Sequence, residues 1–167
     1  MKTEDLLRET VREVAMEIEA AVDGDLYELE NGEFEIISDM EDWKKVQYAV
    51  KRHDFLASHS EKELDKELYC DVEEWLEDEI GTADDVEEPE QVGVSEAIEK
   101  RALSVEHWKI NSSGECVGGE ILVCYGGPSV WITEDGVFGA WGTDRTEWRS
   151  REVGDAVLEY LKESMPI

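Results

Sequence analysis

The chain has 167 residues, of which 44 are Asp or Glu and 16 are Lys or Arg, so its formal net charge is −28. A field of this sign repels nucleic acid and anionic membranes and attracts basic surfaces, which argues against direct nucleic-acid binding. No apolar run is long enough to span a membrane, and the first residues lack the pattern of a secretory signal. The six Trp predict a folded chain rather than a disordered acidic one.

The charge is distributed unevenly along the chain. Residues 1–99 hold 33 acids and 9 bases, whereas residues 100–167 hold 11 acids and 7 bases. The run 67–99 contains 14 acids and neither Lys nor Arg. Halophilic adaptation is one explanation, but it would make the whole surface acidic, and the last 68 residues are nearly balanced. The distribution therefore favours an acidic region that selects a basic partner.

An apolar stripe predicts a helix over residues 3–22, with Thr3 as its N-cap and Gly24 at its end. The stripe consists of Leu7, Val11, Val14 and Ile18, and like charges four residues apart follow the opposite side: Glu9, Glu13 and Glu17. Residues 25–40 contain the turn signal Asn31-Gly32, which indicates a short acidic hairpin or an irregular loop.

Two more helices are predicted before residue 81. The helix over residues 41–57 is expected to turn Trp43, Val46, Val50 and Phe55 or Leu56 inward, and to face neighbouring carboxylates with Lys44, Lys45, Lys51 and Arg52. The next helix is expected to start at the capping box Ser60 and Glu63 and to stop at Gly81. Its predicted buried stripe is Leu64, Leu68, Val72, Trp75 or Leu76, and Ile80. Ten acids among residues 61–80 give about one carboxylate per 3 Å, close to the phosphate spacing of a DNA strand.

Strands follow a short helix over residues 94–103. They are predicted over residues 105–110, 116–125, 130–133 and 137–141, and the chain closes with a helix over 150–164 whose stripe is Val153, Val157, Tyr160 and Leu161. The unbroken apolar run 121–125 predicts a central strand covered on both faces. Asp135-Gly136 predicts a two-residue hairpin loop that pairs Thr133 with Phe138 and Trp131 with Ala140.

These elements predict an α+β fold, in which an acidic helical N-terminal half is followed by a small antiparallel sheet and a C-terminal helix. The division is expected near residue 103. The acidic region 1–103 and the sheet-plus-helix region 104–167 form either two lobes or one joint domain.

No pattern predicts catalysis or metal binding. The three His and three Cys lack zinc-ligand spacing, and no phosphate-binding loop or nucleophile motif occurs. We therefore expect no catalytic residue, no metal and no cofactor. The arginines of the last third are expected to pair with carboxylates of the first half, and the neighbouring Trp141 and Trp148 to serve the core or a partner contact. These arginines are Arg145, Arg149 and Arg151.

The segments Gly126-Gly127-Pro128-Ser129-Val130-Trp131-Ile132 and Gly139-Ala140-Trp141-Gly142-Thr143-Asp144 resemble C-terminal segments of small acidic proteins of phages and integrative elements. Some of those proteins are grouped with anti-CRISPR and antirestriction proteins. The matching residues are turn and hairpin residues, so the resemblance transfers no functional residue. It implies a mobile-element protein that acts against a nuclease inside a bacterial host.

The acidic run and the resemblance predict a non-enzymatic anti-CRISPR protein, an acidic DNA mimic that blocks target-DNA binding by a Cas effector, with a Cas9-type effector favoured. Such effectors hold nucleic-acid duplexes in positively charged channels. The expected partner is that basic cleft, in the bacterial cytoplasm. The alternatives are an antirestriction DNA mimic and a generic acidic adaptor.

The expected partner-binding residues are carboxylates of the basic-free run, assisted by one face of the first helix. The run contributes Glu67, Asp71, Glu73, Glu74, Glu77, Asp78, Glu79, Asp84, Asp85, Glu87 and Glu88. The first helix contributes Glu9, Glu13 and Glu17.

Overall fold

A computed structural model describes residues 2–58 and 72–166 of the chain. It divides into two compact units. The sheet unit comprises Met1–Ile36 and Gln91–Ile167, and the acidic unit comprises Ile37–Glu90. The units do not follow the predicted division at residue 103, because the first helix packs on the sheet formed by the last third of the chain.

The sheet unit begins with helix α1 (Thr3–Asp23), as predicted. Its N-cap is Lys2, which makes no capping side-chain hydrogen bond, so the prediction of Thr3 as the cap was wrong. Gly24 ends the helix with φ +81°, a conformation that only glycine adopts without strain.

A three-stranded sheet follows α1. Strands β1 (Leu26–Glu28) and β2 (Phe34–Ile36) form the predicted acidic hairpin, and β3 (Glu90–Gln91) lies on the other side of β1. The chain next to β3 is tied to β1 by a hydrogen bond of 2.8 Å from the Val92 N–H to the Leu26 carbonyl.

A five-stranded antiparallel sheet forms the centre of this unit, with the strands in chain order. They are β4 (Ser104–Ile110), β5 (Cys116–Cys124), β6 (Ser129–Thr133), β7 (Gly136–Trp141) and β8 (Asp144–Arg149). Strand β8 was not predicted. It is an edge strand with a polar sequence in which half-buried and exposed residues alternate, so it lacks the apolar signal that marks the other strands.

Helices α1 and α5 (Arg151–Ser164) pack on one face of the sheet, and the short helix α4 (Val94–Arg101) packs beside them. One row of the core crosses three strands through the paired residues Ile121, Ile132 and Val137. The predicted stripe of α5 is confirmed, because Val153, Val157 and Leu161 are fully buried and Tyr160 is half-buried. Burial of these aliphatic side chains is the main stabilising term of the unit.

Strand β5 is buried on one face and half-buried on the other. Ile121 and Val123 are buried, whereas Leu122 and Cys124 between and after them remain partly exposed. The prediction of a strand covered on both faces was therefore wrong, because both long helices lie on the same side of the sheet.

The β6–β7 hairpin is present, but its predicted register was wrong by two residues. Thr133 pairs with Gly136 and Trp131 with Phe138, so the loop is Glu134-Asp135. Gly136 is a strand residue with φ +136°, and an added Cβ would lie 2.1 Å from the Trp148 carbonyl oxygen of β8. The glycine therefore allows the close approach of β8 rather than the turn itself.

The acidic unit contains helix α2 (Met40–Ala57), helix α3 (Val72–Ile80) and a 3₁₀ turn over Ala83–Asp85. The side chain of Asp39 caps α2 by accepting a hydrogen bond from the Asp42 N–H. Helix α3 ends at Gly81, as predicted. The expected capping box at Ser60 and Glu63 and the expected burial of Leu64 and Leu68 lie outside the described residues.

Helix α2 follows its predicted orientation only in part. Trp43, Phe55 and Leu56 are half-buried, in line with their predicted inward position, whereas Val46 and Val50 are 58 % and 53 % exposed, so their predicted inward position was wrong. Arg52 and Phe55 contact α3 through an ion pair and an aromatic contact, and Lys44 pairs with Glu88, which follows the 3₁₀ turn. Because residues two apart on a helix lie about 200° from each other, placing Lys44 inward turns Val46 outward.

The predicted α+β class is confirmed: the chain begins with a helix, its sheets are antiparallel, and a helix closes it.

Candidate acidic partner-binding surface

Helix α3 is held in place by apolar side chains opposite its carboxylates. Trp75 and Leu76 are buried, and the Trp75 ring lies on Phe55 of α2 with centroids 5.0 Å apart. Lys51 Nζ donates a hydrogen bond of 3.3 Å to the Ile80 carbonyl in the last turn. This places a positive charge at the negative end of the helix dipole. The carboxylates of α3 therefore project from an anchored helix.

The chain after α3 is also ordered by local hydrogen bonds. The Thr82 N–H donates to Asp85 Oδ2 at 2.8 Å, and the Thr82 hydroxyl lies 3.2 Å from the same oxygen. Gly81 has φ +78°, and an added Cβ would lie 2.7 Å from Asp85 Oδ2. Asp85 thus fixes the turn, and its carboxylate is partly committed to that contact.

Two bases of α2 neutralise two acids of this region. Lys44 Nζ lies 3.0 Å from Glu88 Oε1, and Arg52 pairs with Glu73. The prediction that the bases of α2 face neighbouring carboxylates is confirmed for these two. Both acids are more than half exposed, so each pair contributes at most about 1 kcal/mol.

Residues 72–90 hold ten carboxylates and no Lys or Arg, and all ten are exposed. We call these ten side chains the acidic surface: Glu73, Glu74, Glu77, Asp78, Glu79, Asp84, Asp85, Glu87, Glu88 and Glu90. Within the described part of the chain, seven of them make no ion pair or hydrogen bond with another side chain: Glu74, Glu77, Asp78, Glu79, Asp84, Glu87 and Glu90.

The acidic surface has an energetic cost in the isolated protein. Like charges four residues apart on a helix, such as Glu74 and Asp78, repel each other by a few tenths of a kcal/mol. The acidic unit as a whole has 19 acids and 6 bases, or −13 in 54 residues, against −15 in the 113 residues of the sheet unit. A partner that presents guanidinium or ammonium groups would relieve that repulsion through charge-assisted hydrogen bonds.

Most of the predicted partner-binding residues lie on the acidic surface. Glu67 and Asp71 lie outside the described residues. Glu90 belongs to the surface although it was not predicted, and its place in the same basic-free run was the signal for it. The carboxylates predicted on α1 belong to the other unit.

The three acids of α1 differ in their surroundings. Glu9 and Glu13 are exposed, whereas the Glu17 side chain is only 13 % exposed and accepts a hydrogen bond of 2.6 Å from Arg101 Nη2. That bond is the main cause that raises the pKa of Arg101 above its ordinary value, and burial opposes it. Glu17 therefore joins α1 to the end of α4. It is not one of the carboxylates that we propose to bind a partner.

The arginines of the last third have local partners, so the prediction that they pair with acids of the first half was wrong. Arg149 pairs with Glu147 at 3.3 Å, Arg151 lies 3.9 Å from Asp155, and Arg145 donates to backbone carbonyls. Trp141 and Trp148 are half-buried against the core of the sheet unit. The Trp148 indole also donates to Glu19 Oε1 at 3.0 Å, which links β8 to α1.

A separate ion pair fixes the β6–β7 loop. Glu134 accepts hydrogen bonds from Lys109 and, at 3.0 Å, from the Gly119 N–H. Burial raises the pKa of Glu134, but these donors outweigh it and hold the pKa below its ordinary value. The same hydrogen bond raises the pKa of Lys109, with burial opposing it. This pair joins β4, β5 and the loop, so its role is structural.

Across residues 2–58 and 72–166, no group of three or more His, Cys, Asp or Glu side chains is arranged to hold a metal ion. In the same part of the chain, no helix combines the length and the apolar character needed to cross a membrane.

Comparisons with protein-family models, with curated proteins and with solved structures find no match to this chain.

Proposed function

We propose that this protein is a non-enzymatic inhibitor that occupies the DNA-binding cleft of a Cas effector nuclease, of the Cas9 type, as an acidic DNA mimic. In this proposal it acts in the bacterial cytoplasm, binds no nucleic acid itself and prevents target-DNA binding. One observation carries the proposal: residues 72–90 hold ten exposed carboxylates and no Lys or Arg, and seven of the ten belong to an anchored helix and an ordered turn.

The chemistry of the target supports this choice. Cas effectors hold a heteroduplex in a positively charged channel and read a short flanking motif with arginines. Carboxylates match guanidinium groups in geometry and charge, and such bonds are about twice as strong as neutral ones. Association driven by complementary charge is fast and weakens as salt is added.

The anchoring of α3 favours a folded mimic over a simple acidic tail. Because α3 is already formed, binding does not include the cost of ordering a disordered segment. A tail would instead lose about 1–2 kcal/mol of backbone entropy for each residue it ordered.

The first experiment measures target-DNA binding by a guide-loaded Cas9-type effector, with and without this protein, at about 0.05 M and 0.5 M salt. We expect loss of DNA binding at low salt and its recovery at high salt. Complex formation without loss of DNA binding would contradict the mimic. No effect on any Cas effector, together with inhibition of a restriction enzyme, would support the antirestriction alternative instead.

Two matched charge-reversal variants test the location of the interaction. One carries Lys at Glu74, Glu77, Asp78 and Glu79 of the acidic surface, and the control carries Lys at the exposed Asp23, Glu28, Glu30 and Glu33 of the sheet unit. Each variant changes the net charge by +8, from −28 to −20. We expect only the first variant to lose inhibition, while circular dichroism shows that both remain folded. Equal loss in both would mean that total charge, and not this surface, causes the effect.

A further inference from the structure

A groove in the sheet unit is lined by none of the residues of the acidic surface. It has a volume of about 320 Å³ and runs between the end of α1, the start of α4 and one side of α5. This volume lies near the lower end of the range for ligand pockets. Its floor is largely apolar and is formed by Val22, Val94, Ala156 and Tyr160.

The rim of the groove is acidic. Glu152, Asp155, Glu159 and Glu163 line it from α5, at spacings of three and four residues. Among the described residues, only Asp155 of these four forms an ion pair, with Arg151 at 3.9 Å, and both side chains are more than three-quarters exposed. That contact is therefore weak. Four carboxylates consequently border an apolar floor with little neutralisation.

The acidic rim and the apolar floor together determine which class of ligand fits the groove. The carboxylates exclude nucleic acid, phosphates and anionic lipid on charge. The floor, with Val22 42 % exposed, offers apolar area that a purely charged ligand would leave uncovered. The Tyr160 hydroxyl, whose pKa is raised by burial and by the nearby charge of Glu99, is protonated at neutral pH like that of any Tyr and can donate a hydrogen bond.

We propose that this groove binds a cationic amphipathic helix of a partner protein, with apolar side chains on the floor and Lys or Arg against the rim of α5. The rim carboxylates span 12 residues of α5, a rise of about 16 Å along the helix. A helix that presents a base every three or four residues has the same repeat, and an apolar face in a groove between helices is a recurrent recognition mode. This inference does not depend on the proposed function.

The test measures binding of a synthetic amphipathic peptide of about 15 residues, with Leu at i, i+4 and i+7 and Lys on both sides of that face. The control peptide has the same composition in a scrambled order that forms no apolar face. We expect the amphipathic peptide to bind at least about tenfold more tightly, because only it covers the floor. Equal affinity of the two peptides would mean general attraction to a chain of charge −28 and would overturn the proposal.

Two point variants locate the peptide. Glu159→Lys in the groove and Glu115→Lys in the turn between β4 and β5 change the net charge equally, and both positions are exposed. Glu115 belongs neither to the groove nor to the acidic surface, so we expect Glu159→Lys to weaken peptide binding roughly fivefold and Glu115→Lys to leave it unchanged. An equal effect of both variants would contradict the groove. Because nuclease inhibition is a separate measurement, its failure leaves this result unaffected.

Discussion

Glu17 and Glu9 illustrate how the environment of a single carboxylate decides its role. Both were predicted to bind a partner, yet Glu17 is mostly buried against Arg101 whereas Glu9 is exposed. We expect Glu17→Gln to lower the free energy of unfolding by about 2 kcal/mol, because it weakens a charged hydrogen bond in a partly buried site. Glu9→Gln should change it by less than about 0.5 kcal/mol. Urea unfolding measures both; equal effects would contradict a structural role of Glu17.

Glu134 gives the fold a pH dependence in the acidic range. Its folded pKa lies below its ordinary value, so its ionised form stabilises the fold. That stabilisation is fully present above the unfolded pKa and is lost as the pH falls through the folded pKa. In Glu134→Gln this contribution is absent at every pH. We therefore expect the variant to be less stable than the original at pH 7, by about 1 kcal/mol, and the difference to shrink toward pH 3.

Thermal unfolding of both proteins between pH 3 and pH 7 measures this dependence. Because the other carboxylates titrate equally in the two proteins, the difference isolates Glu134. A difference that stays constant with pH would show that the contact with Lys109 and Gly119 does not depend on ionisation.

At the level of elements, the acidic unit depends on contacts between α2 and α3 that involve only part of the apolar stripe predicted for α2. Phe55 packs on Trp75, while Val50 is more than half exposed. We expect Phe55→Ala to destabilise the two helices by about 2 kcal/mol and Val50→Ala by less than about 0.5 kcal/mol. Hydrogen exchange of the α2 and α3 amides reports this local stability. Faster exchange in Val50→Ala than in Phe55→Ala would instead support the predicted inward position of Val50.

The sequence predicted the elements better than it predicted their contacts. Helix α1, the end of α3 at Gly81 and the stripe of α5 follow from apolar spacing and glycine positions, because these are local properties. In the observed register of β6 and β7, Gly136 lies against the distant carbonyl of Trp148, and in the observed orientation of α2, Lys44 and Arg52 pair with Glu88 and Glu73. These contacting residues are distant in the sequence from the elements that they contact, so a local sequence pattern does not reveal them.

For the candidate site, too, the sequence predicted which residues are involved but not the contacts that they make. Composition identified the basic-free run and the exposure of its acids, and Glu90 follows from the same signal. Composition does not reveal that Glu73 and Glu88 pair with bases of α2 or that Asp85 accepts hydrogen bonds in a turn, and only the structure shows these contacts. The groove beside α5 was not predicted, because its walls come from three helices that are distant in the sequence.

The whole molecule carries enough negative charge to oppose its own folding. Raising the salt concentration from about 0.01 to 1 M shortens the Debye length from about 30 to about 3 Å and screens this repulsion. We expect the Tm to rise by about 5 °C over that range. The control variant with four lysines in the sheet unit, of net charge −20, should respond less. A Tm that falls with salt would mean that ion pairs such as Arg101–Glu17 outweigh the repulsion.

The packing of α1 on the far end of the five-stranded sheet has a consequence during protein synthesis. Leu7 and Val11 lie against Gly139 of β7, about 130 residues later in the chain. At the usual speed of a ribosome this interval takes roughly 6 to 26 s, in which the apolar side of α1 lacks its final partner. A nascent chain interrupted before β7 would thus expose Leu7, Val11, Val14 and Ile18 together and become a substrate for chaperones and proteases.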